Sequence, residues 1–187
     1  MAPATRSPSF RERQHAVNSA YGRAVAHLDG YRVVNLVRSE RSAADLTDAQ
    51  GPVIVDGPDL RERLLAATDG VEPTLALDAV GGSSTGYLAD TLATGSTVVT
   101  YGLLLGEPCV IDAHNVVFRQ ILLSGFWLPR ACTTTPPQVL QEIADRARAL
   151  AASGVAAVPI VHRYGLDVVA QAFEHASRGG SNGKIVR

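Results

Sequence analysis

Two short stretches carry residues suited to holding phosphate. The first, "NSAYGRAV" at positions 18–25, places polar residues and small residues at the start of a helical pattern. Backbone N–H groups at a helix start lack partners inside the helix, and small side chains let a pyrophosphate approach them. Asn18 and Ser19 are residue types that cap helices, and Gly22 permits close packing. The second is Arg38, directly after the apolar run "YRVVNLV", with Arg41 close behind. In a dinucleotide-binding sheet the residue after the second strand meets the adenosine ribose. An acid there takes the free 2′-hydroxyl, and an arginine takes a 2′-phosphate. Guanidinium matches phosphate in a bidentate fashion, so Arg38 points to NADP rather than NAD. A plain helix cap and a solvated arginine at a strand end are the alternative readings of these residues.

Other groupings point less far. His15, His27, His114, His162 and His175 show no metal-ligand spacing. Asp112 with His114, and His162 with Tyr164, read as acid/base pairs or as surface and capping residues. Ser83 and Ser84 lack the nucleophile-elbow context of a hydrolase. Cys109 and Cys132 are far apart, which argues against structural zinc or a disulfide framework.

The elements that must position these residues alternate. Strands are expected at 31–37, 52–55, 74–80, 96–102 and 119–127, with helices at 59–68, 84–94 and 136–154. A strand, a helix and a strand then close the chain in "VPIVHR", "LDVVAQAFEHASRGG" and "GKIVR". Nearly continuous Val, Ile and Leu in the strands indicates a parallel sheet covered on both faces, an α/β fold of the Rossmann-like, doubly wound type. At 187 residues, with 46% hydrophobic and 19% charged residues, the chain can bury a sizeable core. A net charge of -1 and the lack of a basic, aromatic stripe give no pull toward nucleic acid. No apolar run reaches the length of a membrane span, and a cytoplasmic location is expected.

At "NSAYGRAV", "GYRVVNLVRSE", "LALDAVGGSSTGYLADTLATGSTVVTYGLL", "LLSGFWLPR" and "GGSNGKIVR" the sequence resembles the cofactor-binding half of the medium-chain dehydrogenase/reductases. Within them it is similar to the zinc-free enoyl-thioester reductase and quinone oxidoreductase branch. The resemblance implies that Asn18, Ser19, Ala20 and Tyr21 lie along the pyrophosphate of NADP(H), and that Arg38, Ser39 and Glu40 face its 2′-phosphate end. It implies that Tyr101, Gly102, Leu103 and Leu104, with Phe126, Trp127, Leu128 and Pro129, flank the nicotinamide, and that Lys184 reaches the cofactor. The implied activity is NADPH-dependent reduction of an activated C=C bond in a small apolar or thioester-linked substrate.

Three departures qualify that expectation. The GroES-like catalytic domain of the family is not in this sequence, which therefore reads as truncated and in need of a partner. The first strand should be central, yet "RERQH" would put Arg11, Glu12 and Arg13 there, and buried unpaired charge costs several kcal/mol. That strand is expected to be degraded, missing or displaced. The next helix, Tyr21 to Leu28, covers only about 12 Å before Asp29-Gly30, against about 23 Å for the strand that follows. Loss of NADP(H) is the corollary, with a cofactor-independent cyclase, isomerase or binding protein as the other outcome. The expected divisions are an irregular arm at 1–15, a nucleotide-binding domain at 16–155, and a carboxyl-terminal segment at 156–187. In the family that last segment packs on the catalytic domain, so a partner chain should cover it. The strand at 119–127 often pairs across a two-fold, which makes a homodimer the default.

Overall fold

The computed structural model describes residues 14–16, 25–26, 28–37, 39–44, 46, 51–57, 59–154, 160–177 and 184–186. The chain divides into two compact units, Met1–Asp145 and Arg146–Arg187.

The first unit is built on six strands, β1 (Gln14–Ala16), β2 (Arg32–Val37), β3 (Val53–Val55), β4 (Leu75–Asp78), β5 (Thr97–Thr100) and β6 (Leu122–Gly125). They form one sheet in the order β3-β2-β1-β4-β5-β6, and every adjacent pair is parallel. This order is that of a doubly wound nucleotide-binding sheet, with the winding reversing between β1 and β4. Helices are interspersed, among them α1 (Glu40–Ala44), α2 (Leu60–Ala67), α3 (Ser83–Thr91), α4 (Ala113–Val117) and α5 (Leu128–Thr134).

The expectation of a missing or displaced first strand is corrected by β1. This strand stands in the central position, paired to β2 from Gln14↔Arg32 to Ala16↔Val34 and to β4 at His15↔Leu75 and Ala16↔Ala76. It starts after the charged triplet Arg11 to Arg13, which lies outside the described residues. Three residues suffice because a ladder is held by backbone N–H and C=O groups, which every residue but proline supplies. The strand is thus in place. The chain also returns far enough for β2 to pair in parallel; Val25, Ala26 and Leu28 are helical, and Tyr31 N–H donates to Ala26 O at 2.8 Å.

Two apolar clusters hold this unit together. Ala76, Leu88, Ala89, Leu92, Val98 and Ile121 seat α3 on β4 and β5, while Val34, Ile54, Leu60 and Leu64 seat α2 on β2 and β3. Leu36 packs against both. Each fully buried leucine contributes about 1.5–3 kcal/mol. The Arg119 guanidinium donates to the carbonyls of Ala89, Asp90 and Leu92 and to Asn115 Oδ1, so it satisfies the open carboxyl end of α3 and ties it to α4. At the rim, β6 is an edge strand with all four residues exposed.

Helix α6 (Pro137–Ala152), with its proline at the first turn, buries none of its residues, and the division between units falls within it. The second unit carries β7 (Ile160–Arg163), a 3-10 turn at Leu166–Val168, α7 (Val169–Ser177) and β8 (Lys184–Val186). Strands β7 and β8 pair in parallel as a separate two-stranded sheet. An apolar hollow in this unit is lined by Tyr164, Leu166, Val169, Phe173, Ile185 and Val186 among others.

Candidate nucleotide-binding site

Because every strand of the main sheet runs the same way, the carboxyl ends of β1, β2, β4, β5 and β6 lie along one edge, where open α/β sheets bind ligands. Residues Tyr101–Leu104 follow β5, and Phe126–Pro129 follow β6. The ladder joins their starts, since Tyr101 N–H donates to Asp78 O at 2.8 Å and Phe126 N–H donates to Thr100 O at 2.9 Å. These two stretches are therefore neighbours. Their apolar side chains face solvent: Leu104 is 80% exposed and Trp127 69%, with Tyr101, Leu103, Phe126 and Leu128 also exposed. Phe126 and Trp127 are thus not core aromatics.

Ser39 and Glu40 follow β2 on the same edge, two strands away from β4. Ser39 Oγ accepts from Ser42 N–H at 3.1 Å, which caps the first turn of α1, and Glu40 is exposed beside it. Asn18, Ser19, Ala20, Tyr21 and Arg38 lie outside the described residues, as does the Lys184 side chain; the Lys184 backbone opens β8 in the second unit. Asp112 and His114 are resolved as a cap: Asp112 Oδ1 accepts from the His114 backbone N–H at 2.7 Å, starting α4, while the His114 ring lies against Phe118.

The centre of the edge is organised by Asp78, which the motif reading did not single out. Its side chain closes β4 with no exposure. Oδ1 accepts from Val80 N–H at 2.8 Å and from Gly81 N–H at 3.2 Å, and Oδ2 accepts from the Thr85 hydroxyl at 2.7 Å. The carboxylate thus fixes the Val80–Gly82 turn and the first turn of α3 together. That turn in turn holds the segment after β5: Leu104 N–H donates to Ala79 O and Leu105 N–H to Val80 O, both at 3.1 Å, and Val110 N–H donates to Gly82 O at 3.0 Å. Gly82 adopts φ 61 and ψ −143, a conformation reserved for glycine, and a Cβ there would stand 3.0 Å from Glu107 Oε2. In the sequence an acid ending an apolar strand, seven residues before a threonine, is the signal for this arrangement.

Thr100 is the second residue that motif reading missed. Its Oγ1, at the carboxyl end of β5, is buried and has no hydrogen-bond partner among the described residues. A buried hydroxyl without a partner costs about 1–3 kcal/mol. The geometry fits a dinucleotide on two counts: one open strand edge at a reversal of winding, and an apolar rim at one end.

Comparison with known proteins agrees with this architecture. The family model described as zinc-binding dehydrogenase matches residues 21–145. The chain belongs to this family, the cofactor-binding half of the medium-chain dehydrogenase/reductases. Among curated relatives of this chain, the mitochondrial enoyl-[acyl-carrier-protein] reductase of Bos taurus is 32% identical over 139 residues, covering 70% of this chain and 37% of that protein. The enzyme of the same name from Dictyostelium discoideum is 35% identical over 124 residues, covering 62% of this chain and 35% of that protein. The chain therefore matches little more than a third of the length of these relatives. In fold it is similar to the mitochondrial 2-enoyl thioester reductase Etr1p/Etr2p heterodimer from Candida tropicalis, with a TM-score of 0.75 at 15% identity over 90% of this chain and 53% of that one. It superposes equally on Etr1p in complex with NADP and crotonyl-CoA, with a TM-score of 0.77 at 15% identity over 98% and 56% of the two chains.

The family description names zinc. Among the described residues no three His, Cys, Asp or Glu come together as a metal site, so they do not fit one. No helix among the described residues is long and apolar enough to cross a membrane.

Proposed function

We propose that this chain holds NADPH along the carboxyl edge of its six-stranded sheet, as the cofactor half of an oxidoreductase that reduces an activated C=C bond. The observation that carries this reading is the edge itself, where the β5 and β6 ends are joined in register and present exposed apolar side chains. The curated relatives are enoyl reductases, and one structural neighbour holds NADP with crotonyl-CoA, which favours a thioester-linked substrate.

In this proposal the backbone of Asn18 to Tyr21 lines the pyrophosphate and the Arg38 guanidinium takes the 2′-phosphate in a bidentate pair. Tyr101 to Leu104 and Phe126 to Pro129 keep water from the nicotinamide face. When bound, NADPH supplies the hydride for the β-carbon of the double bond. Stabilisation of the enolate oxygen and delivery of the one proton, to the α-carbon, are left to groups other than those named here. Polypeptide carrying those groups would also cover the apolar hollow of the second unit and α6, none of whose residues is buried.

A homodimer is part of the proposal. Strand β6 presents a free edge flanked by exposed Leu122 and Leu123, and two copies pairing edge to edge about a two-fold would close it.

Trp127, the only tryptophan, stands at the nicotinamide end and reports on binding. NADPH should quench its emission saturably. Unchanged emission up to about 1 mM NADPH, the weak end of the affinity scale, would favour the cofactor-independent descendant.

A further inference from the structure

We draw no further inference here: the strongest candidate, the apolar hollow of the second unit lined by the 3-10 turn, α7 and β8, carries nothing, because nothing in the structure shows what covers it.

Discussion

Replacing Asp78 by alanine removes the acceptor for three donors at once, the N–H groups of Val80 and Gly81 and the hydroxyl of Thr85. Asp78 and Thr85 are both fully buried, so water reaches these donors only by entering the space that the carboxylate leaves. At about 1–3 kcal/mol for each buried group left without a partner, the cost is about 3 kcal/mol if water recovers part of the loss, and more if it does not. That is a large share of the roughly 5–15 kcal/mol by which a domain is stable. Asp78→Asn keeps one carbonyl oxygen for the turn, and the Thr85 hydroxyl can accept from the new amide, so the cost should fall to about 1–2 kcal/mol. Thr85→Val should cost a similar amount. The double variant Asp78→Ala/Thr85→Val should be less damaging than the sum, because each change already removes the shared bond. Urea unfolding followed by circular dichroism measures all four, with the midpoint shifting at constant slope. Asp78→Ala within about 0.5 kcal/mol of the parent, the scatter of ordinary surface changes, would refute the role assigned to this carboxylate.

Gly82→Ala should destabilise by about 1–3 kcal/mol, since its backbone conformation admits little but glycine and the new Cβ crowds Glu107; an unfolding midpoint equal to the parent's would contradict this. Because the same turn holds Leu104 and Leu105, NADPH affinity measured by Trp127 emission should also fall in that variant. Leu123→Lys places a charge on the β6 edge and should convert a dimer to a monomer in sedimentation velocity without loss of circular dichroism. A dimer of unchanged stability in Leu123→Lys would place the interface elsewhere.

The strands β2, β4 and β5 are legible in the sequence because "VVNLV", "LALD" and "TVV" are apolar runs buried by helices on the sheet's faces. Strand β1 is not, because three residues held by backbone hydrogen bonds leave no hydrophobic pattern. Helices α1, α4 and α5 run only five to seven residues, too short for a 3.6-residue period to show. Two of them are marked instead by caps at Ser39 and Asp112. At the candidate site, the apolar stretches after β5 and β6 could be read from residue type and resemblance. The residues that shape the edge, Asp78, Thr85 and Thr100, could not be found by looking for motifs. Their significance comes from burial, which depends on the packing of α3 against β4 and β5.

The central claim is that the nucleotide site persists and prefers NADPH. Calorimetric titration of the purified chain with NADPH, beside NADH and an Arg38→Ala variant, tests it most directly. The account predicts tighter binding of NADPH than NADH, and a loss in Arg38→Ala of about 10- to 100-fold for NADPH alone, the worth of a charge-assisted pair near 1.5–3 kcal/mol. Equal affinity for the two cofactors, unaltered by Arg38→Ala, or no heat with either one, would contradict it.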